Sequence, residues 1–290
     1  MYNFIFIIFI NDKKSLWYGK SLYNLYKSAH TPWKWHKVLF KESKKLGLIY
    51  FSTSFDETSL KFLKQFNLPI HKVASFENTD LRLIKLVAQT KKPMIISLGM
   101  ANYKEIKEAV LTARKNGCKK LILLKCTSAY PAKYEDANLA TIPFLRKSFK
   151  CEVGLSDHTL GISTALAATV FGASVIEKHF TLDRKSGGPD AKFSLEPPEL
   201  KNLVNEVDNV WKSIGKINFQ VTKGEKKNLK FRRSIYASEN IKKGDKLSKD
   251  NIRIIRPSYG IKSKYYDDII GKKAIKKISK GTALQFSLFK

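Results

Sequence analysis

The sequence predicts an α/β protein with a parallel sheet, followed by a small β-rich module. Short apolar runs typical of strands recur along residues 48–177, and each run ends in small polar or charged residues. Helical patterns separate the runs, and this alternation is typical of parallel sheets. After Phe231 the pattern changes to short β-like runs broken by glycine and lysine, which indicates a second domain.

The N-terminal segment, residues 1–10, reads MYNFIFIIFI. It is too short to span a bilayer, and it lacks the basic start and the small-residue cleavage site of a signal peptide. We therefore expect a buried or edge strand that covers part of one edge of the sheet. The aromatic-rich segment at residues 15–36 predicts a short helix, a break, and a second helix over Trp33 to Lys45.

Six strands and the helices between them can be placed from hydrophobic periodicity. The strands are Leu48–Phe51, Ile70–Ala74, Met94–Ile96, Leu121–Leu124, Val153–Leu155 and Val175–Ile176. The helices are Glu57–Gln65, Leu81–Thr90, Tyr103–Asn116, Asn138–Phe149, Gly161–Gly172 and a closing helix over Pro198–Gly215.

Reactive residues at the carboxyl ends of these strands favour an α/β barrel. The alternative, an open doubly wound sheet, lacks support because no G-x-G-x-x-G opens a helix. A closed barrel of this type has eight strands, and the 47 residues before Leu48 are too few for two ordinary βα units. We therefore expect a (β/α)8-type barrel that lacks about its first two βα units.

Two histidines dominate the most distinctive stretch, residues 154–190. His158 and His179 each follow an apolar run that predicts a strand, and a helix-length segment separates the two runs. In such a βαβ unit the parallel strands end side by side, so both imidazoles can reach one divalent metal. Imidazole is a common ligand of zinc, manganese and iron. Two unrelated histidines that cap strands are the structural alternative.

Charge and cysteine content narrow the class of protein. The 290 residues include 54 Lys+Arg against 25 Asp+Glu, a formal charge of +29, which is compatible with nucleic-acid binding. The lysines are scattered over nearly every predicted helix without a recognition motif, so we expect neither a nucleic-acid nor a membrane partner. The charge would attract anionic substrates. Three cysteines without metal-binding spacing suit a reducing cytoplasm.

The domain boundaries follow from composition. Residues 1–215 form the barrel-type domain, residues 216–230 are a polar and basic linker, and residues 231–290 are the β-rich module. Within that module the phrase Ile241-Lys242-Lys243-Gly244-Asp245 is echoed by Ile278-Ser279-Lys280-Gly281-Thr282. The repeat predicts a small pseudo-symmetric domain.

Several long motifs carry a resemblance to a known family. They read TPWKWH, KVASFE, CTSAYP, GLSDHTLGI, VIEKHFTLDRKSGGPDAKFSLEP and the C-terminal RRSIYA and IRPSYGI. The chain resembles the sialic acid synthases, most closely the pseudaminic acid synthases, from about Ser15 to its end. The last two motifs resemble those of an antifreeze-like (SAF) domain.

The resemblance implies an enzyme that condenses phosphoenolpyruvate with an open-chain N-acetylated amino sugar and releases phosphate. It also implies a divalent metal, Mn or Mg, held by His158 and His179. Positions that match the phosphoenolpyruvate pocket are Thr53, Lys72, Ser75, Ser97, Ser128 and Ser156. Tyr130 matches a residue between the two substrates.

The sugar side of the site is also implied by the resemblance. Glu77 and Asp190 match carboxylates that bind the sugar, and with Tyr130 they complete the expected catalytic set. Arg256 matches an arginine that the SAF domain of one subunit contributes to the sugar site of the other. The resemblance thus implies a domain-swapped homodimer.

Nothing before Leu48 matches the family's first two strands, which carry a glutamate, a lysine and further substrate contacts. We therefore expect the 290-residue chain to be inactive or severely impaired by itself. Three hypotheses stay open. The chain is a pseudaminic- or neuraminic-type synthase, a non-catalytic remnant of the family, or an aldolase that uses Lys72 or Lys125 as a Schiff base.

Overall fold

The computed structural model describes residues 8–13 and 15–290. They form two compact units, one extending to Gly215 and the other spanning Lys216–Lys290. Residues 1–7 of the apolar N-terminal segment lie outside the described residues. In the described part of the chain no helix is long and apolar enough to cross a membrane.

The first unit contains one parallel sheet. Its strands are β1 (His71–Val73), β2 (Met94–Ser97), β3 (Leu121–Cys126), β4 (Glu152–Asp157) and β5 (Ile176–Lys178). They pair in sequence order, β1-β2-β3-β4-β5. The helices are α1 (Leu22–Ala29), α2 (Trp33–Lys45), α3 (Glu57–Lys64), α4 (Leu81–Ala88), α5 (Tyr103–Lys115), α6 (Thr141–Phe149), α7 (Ser163–Val170) and α8 (Pro197–Ile214).

The two faces of the sheet differ in chemistry because side chains alternate along a strand. One face is apolar and buries Val73, Ile96, Leu123 and Leu155 in the main hydrophobic core together with side chains of α4, α5 and α6. Full burial of such a side chain contributes about 1.5–3 kcal/mol. The opposite face carries the polar side chains, so the core and the candidate site lie on opposite sides of the same strands.

The sequence prediction is confirmed for five of the six strands and is wrong for Leu48–Phe51. That segment forms no strand, and its contact with the sheet is a single parallel bridge between Thr53 and Lys72, with Ser54 N donating to Lys72 O at 3.0 Å. Ile49 is 72% exposed, so the apolar side chains there lack the burial that would hold a strand. Asp56 then caps α3 and turns the chain away.

The described end of the N-terminal segment also differs from the prediction. Phe9 pairs antiparallel with Ser21, and Ile10 N donates to Lys20 O at 3.0 Å. Residues 8–10 therefore join a local hairpin instead of covering a sheet edge. Gly19, with a φ of +77°, permits the turn, because only glycine adopts such angles readily.

The second unit is β-rich. Strands β6 (Ser234–Ala237) and β7 (Ile252–Ile255) pair antiparallel, and a four-residue helix, α9 (Tyr266–Ile269), follows. The two repeated phrases pair with each other, since Ile241 N donates to Ile278 O at 2.8 Å and Ile278 N donates to Ile241 O at 2.9 Å. This pairing accounts for the repeat that the sequence shows.

Candidate active site

The polar face of the sheet gathers side chains from neighbouring strands at their carboxyl ends. In the register of the strands Cys126 lies opposite Ser156, and Ser156 lies opposite Glu177. Because β4 and β5 are parallel and in register, the residues that follow them, His158 and His179, also come together. Their ring centroids are 5.1 Å apart.

The orientation of each imidazole is set by a contact at Nδ1. His158 Nδ1 lies 2.9 Å from Thr127 O, and a carbonyl can only accept, so this nitrogen carries the proton. In the neutral imidazole, His158 Nε2 therefore keeps its lone pair. His179 Nδ1 lies 3.4 Å from Asp190 Oδ2. A hydrogen-bonded Nδ1 with a free Nε2 is the usual arrangement of metal-binding histidines.

A buried ion pair lies directly before the two histidines. Lys178 Nζ is 2.9 Å from Asp157 Oδ2, and their side chains are 2% and 1% exposed. These two residues face each other in the register of β4 and β5. Lys178 Nζ also donates to Thr159 O at 2.6 Å. The pair ties the strand ends together on the side of the sheet opposite the histidines.

Gly154 allows β4 to approach the chain that leads into β5. A Cβ at this position would lie 2.3 Å from Val175 O and 2.8 Å from Leu124 Cδ2. Both distances are too short for real contacts, so any larger residue would push the neighbouring backbone away. The close spacing of the histidine strands therefore depends on this glycine.

Lys72 also lies on the polar face, on strand β1 at the opposite edge of the sheet from β5. Its Nζ lies 2.8 Å from Glu177 Oε1, and Ser156 Oγ donates to the same oxygen at 2.7 Å. Sequence reasoning missed Glu177 as a site residue. The signal was present, because Glu177 precedes His179 by two positions and period-2 alternation puts both on one face.

A cradle of hydroxyl groups surrounds Gly99, directly after β2. A Cβ on Gly99 would lie 2.0 Å from Ser128 Oγ and 2.8 Å from Ser75 Oγ. Gly99 N donates to Ser75 Oγ at 3.1 Å. The hydroxyl of Ser97 is buried without a hydrogen-bond partner among the described residues. Two serines predicted from different strand ends, Ser75 and Ser128, thus lie beside one glycine, and the predicted Ser97 at the end of β2 has an unused donor.

Asn78 holds this cradle in place. Its Nδ2 donates to Ser97 O at 3.2 Å and to Gly99 O at 3.0 Å. The side chain is buried, 3% exposed, so losing either bond would leave polar groups unsatisfied. Asn78 is a second residue that sequence reasoning missed, because its partners lie on the next strand.

Tyr130 and Glu77 are both shifted towards their neutral forms. Burial raises the pKa of Tyr130 to about 12, and its ring centroid lies 4.5 Å from that of His158. Burial also raises the pKa of Glu77 above its ordinary value, against the opposing effect of the Lys72 charge. Glu77 Oε2 is buried without a hydrogen-bond partner in the described part of the chain. Tyr130 therefore keeps its phenolic proton at neutral pH, and Glu77 retains an acceptor atom that no described residue uses.

Asp190 lies on the long connection between β5 and α8, beside a cavity. The cavity has a volume of about 220 Å³, and its wall includes His179, Asp190, Ser194 and Ala29, the last residue of α1. Arg184 fastens the connection to α8 through Glu199, with Nη2 donating to Glu199 Oε1 at 3.0 Å. The cavity is smaller than the ~300–1,000 Å³ of typical ligand sites.

The structure does not bring every candidate residue to this face. Lys125 lies next to Cys126 on β3 and therefore points to the other face, where its Nζ donates to Thr127 Oγ1 at 2.8 Å. Lys72 is paired with the Glu177 carboxylate at 2.8 Å. Neither lysine is placed as a Schiff-base nucleophile. Arg256 belongs to the second unit, at the end of β7.

The histidine pair fits a divalent metal only in part. Among the residues that the structure describes, no three His, Cys, Asp or Glu side chains converge on a common metal position. His158 and His179 would supply two nitrogen ligands, and the remaining positions would be left to water or substrate oxygens. Such an open coordination shell is typical of catalytic metals and differs from the closed shell of structural ones.

Comparison with known families matches almost the whole chain. The pattern of the NeuB family matches residues 9–219, and the pattern of the SAF domain matches residues 232–290. The chain belongs to the NeuB family. By family it is a transferase of the phosphoenolpyruvate-dependent nonulosonic acid synthases.

Curated relatives include enzymes for different sugars. A pseudaminic acid synthase of Campylobacter jejuni is 41% identical over 278 residues, which is 96% of this chain and 81% of the relative. An N,N'-diacetyllegionaminic acid synthase of Campylobacter jejuni is 43% identical over 246 residues, which is 84% of this chain and 74% of the relative. Identity alone therefore does not choose between the two sugars.

Solved structures agree with the family assignment. An N-acetylneuraminic acid synthetase from Leptospira borgpetersenii, in complex with citrate, has a TM-score of 0.66 and 35% identity, over 71% of this chain and 72% of that chain. A spore coat polysaccharide biosynthesis protein from Bacillus subtilis has a TM-score of 0.62 and 30% identity, over 93% of this chain and 81% of that chain.

Proposed function

We propose that the chain condenses phosphoenolpyruvate with a 2,4-diacetamido-2,4,6-trideoxy hexose to give a nonulosonic acid and phosphate. The observation that carries the proposal is the single polar face, which holds the histidine pair, Lys72 and the serine cradle around Gly99. Among the relatives above, the pseudaminic acid synthase matches the larger share of this chain, 96% against 84%. This coverage favours the pseudaminic sugar. An N-acetylneuraminate-type sugar is the alternative.

Phosphoenolpyruvate would bind through Lys72 and the hydroxyl groups. Ser75 and Ser128 present their hydroxyl groups beside Gly99, where a Cβ would collide with them, and Ser97 adds its unpartnered hydroxyl from the end of β2. Thr53 pairs with Lys72, and Ser156 donates to the Glu177 oxygen that Lys72 also contacts. A bound phosphate or carboxylate would accept a hydrogen bond from the unpartnered Ser97 hydroxyl. It would also form an ion pair with the Lys72 ammonium, which already contacts Glu177. Charge-assisted bonds of this kind are roughly twice as strong as neutral ones.

A divalent metal, Mn or Mg, would be held by His158 and His179. When bound it would polarise the aldehyde of the sugar as a Lewis acid. The role of the protein is to hold both Nε2 atoms on the polar face, which Thr127 O and Asp190 achieve through the two Nδ1 contacts.

The sugar would lie between Tyr130, Glu77 and Asp190. Tyr130, with its pKa raised to about 12, keeps its proton at neutral pH and can donate a hydrogen bond to either substrate. Asp190 and Ser194 line the cavity beside His179 and present acceptors to sugar hydroxyl or amide groups. Glu77 has a buried oxygen that still lacks a partner among the described residues.

Arg256 would act on a second copy of the chain in a domain-swapped homodimer. It is exposed at the end of β7 and takes part in no ion pair among the residues described. If two subunits share each site, mixing the inactive variants Arg256→Ala and His158→Ala should restore part of the activity. Sedimentation of the wild-type chain as a monomer under assay conditions would exclude this arrangement.

The second candidate function is ligand binding without turnover. The outer side of β1 has only the Thr53 bridge as its neighbour among the described residues, and Ile49 and Phe55 beside it are 72% and 61% exposed. An incomplete wall would bind phosphoenolpyruvate yet fail to hold both reacting carbons near ~3–3.5 Å.

The deciding experiment measures phosphate release from phosphoenolpyruvate with Mn and the diacetamido sugar, alongside calorimetric binding of phosphoenolpyruvate alone. Turnover on the order of 1 s⁻¹ supports the synthase, while binding without phosphate release supports the binding-only function. Gly99→Ala should abolish phosphoenolpyruvate binding, because its Cβ would collide with Ser128 Oγ. Gly224→Ala is the matched control, since nothing lies within 4 Å of its added Cβ. If Gly99→Ala binds phosphoenolpyruvate as tightly as Gly224→Ala does, the proposed role of the serine cradle is refuted.

A further inference from the structure

The hairpin at residues 8–22 places one aromatic side chain at the candidate site. Trp17 lies in the loop of this hairpin, which is closed by Gly19 N donating to Ile10 O at 2.9 Å and Lys20 N donating to Trp17 O at 3.1 Å. Its own backbone N donates to Ser15 Oγ at 3.2 Å. Trp17 is partly buried, whereas the neighbouring Tyr18 is 51% exposed. The loop therefore turns one of its two adjacent aromatic residues inward.

Trp17 contacts two separate loops of the site. Its indole Nε1 donates to Pro189 O at 2.9 Å, directly before Asp190. Its ring centroid lies 5.6 Å from that of Tyr130 at an interplanar angle of 50°. Tyr130 follows β3 and Pro189 follows β5, so the indole bridges the ends of two strands that are not neighbours.

A second contact comes from the same N-terminal segment. Ala29, at the end of α1, lines the cavity that His179 and Asp190 also line, and Pro189 contributes to the same wall. The N-terminal segment thus reaches the region of residues 187–191 at two points. Ala29 contributes to the cavity wall, and Trp17 donates a hydrogen bond to Pro189 O.

We propose that Trp17 is a positioning residue for the amino sugar, which ties Tyr130 to the Pro189–Asp190 turn beside the cavity. This inference rests on the proposed function for the identity of the ligand. The donors for phosphoenolpyruvate lie around Lys72 and Gly99, and no contact joins Trp17 to them in the described chain. Loss of the indole should therefore weaken sugar binding far more than phosphoenolpyruvate binding.

The first test needs no ligand. Hydrogen exchange of the Gly187, Ala191 and Ser194 amides, which donate to Arg184 O, Gly188 O and Ala191 O, reports in the full chain how often this turn opens. The lost hydrogen bond and ring contact of Trp17→Ala correspond to roughly tenfold faster exchange. Trp35→Ala is the control, because Trp35 is 53% exposed on α2 and should leave these amides unchanged. Equal exchange rates in Trp17→Ala and wild type would show that Trp17 does not hold this turn, whether or not the chain is an enzyme.

The second test separates the two substrates. Calorimetry with Mn present should show about tenfold weaker sugar binding in Trp17→Ala, with phosphoenolpyruvate affinity within about twofold of wild type. Trp17→Phe retains the ring contact with Tyr130, so its sugar affinity should lie between those of Trp17→Ala and wild type. Equal weakening for both ligands, or for neither, would overturn the positioning role. A wild-type chain that binds no phosphoenolpyruvate would instead overturn the proposed function. The exchange experiment would still decide whether Trp17 holds the Pro189–Asp190 turn.

Discussion

Replacing Lys178 with methionine tests how the sheet holds its histidines. Methionine keeps most of the apolar stem and removes the ammonium. The Asp157 carboxylate then loses its 2.9 Å partner while its side chain stays 1% exposed, and Thr159 O loses its donor. Removing one partner of a buried ion pair costs about 3–5 kcal/mol. We expect a loss of unfolding free energy of that size.

The double variant Asp157→Asn/Lys178→Met isolates the electrostatic part of this loss. Asparagine retains an oxygen that can accept the bonds from Thr159 N and Thr159 Oγ1, which are 2.9 and 2.8 Å long in the native chain. With the buried charge gone, the double variant should be more stable than Lys178→Met alone. The matched control is Lys45→Met on α2. That side chain is 59% exposed beside Glu42, so a change of only about 0–1 kcal/mol is expected.

Urea unfolding followed by circular dichroism measures these free energies, and Mn calorimetry adds a local measurement. Because His158 and His179 directly follow the pair, Lys178→Met should also weaken Mn binding under conditions where the variant is folded. The reasoning is refuted if Lys178→Met lies within about 1 kcal/mol of wild type, or if the double variant is no more stable than the single one.

Three further predictions concern the site itself. His158→Ala combined with His179→Ala should abolish tight Mn binding in calorimetry, because the two imidazoles provide the protein's nitrogen ligands; unchanged affinity would exclude the pair as the metal site. Glu77→Gln should alter the pH dependence of stability. Burial raises the folded pKa of Glu77 above the ordinary 4.5, so the folded state holds the proton more tightly and this group destabilises the fold as pH rises from 4.5 through the raised value. The variant should lack that decline in urea titrations at successive pH values, and an identical profile would contradict the shift. Ser54→Ala should leave stability unchanged or raise it by about 1 kcal/mol, since its buried hydroxyl has no partner among the described residues, and a loss above that amount in urea unfolding would indicate an unseen partner.

The five confirmed strands show where hydrophobic periodicity suffices. Each is a short apolar run that ends in small polar or charged residues, so local sequence determines its position. The segment Leu48–Phe51 has the same apolar character and forms no strand. A strand needs a hydrogen-bonded neighbour, and among the residues that the structure describes only the Thr53 bridge is available there.

The candidate site likewise contains contacts that the sequence predicts and contacts that it does not. His158 and His179 could be predicted as partners because one βαβ unit carries both and parallel strands end at one edge. Glu177 could not be paired with Lys72 from sequence, because the two residues lie 105 positions apart. The same is true of Trp17 and Pro189, which are separated by 172 positions.

The sequence by itself determined the α/β class, the β-rich second unit, five strands and the strand ends that carry polar residues. These features depend on periods of two or 3.6 residues, which neighbouring side chains create. The tertiary structure alone decided which polar groups share a partner, which lysine faces the site and which hydroxyl is left unpaired. Those outcomes depend on strand register and loop packing, which bring together residues whose local sequences contain no information about each other.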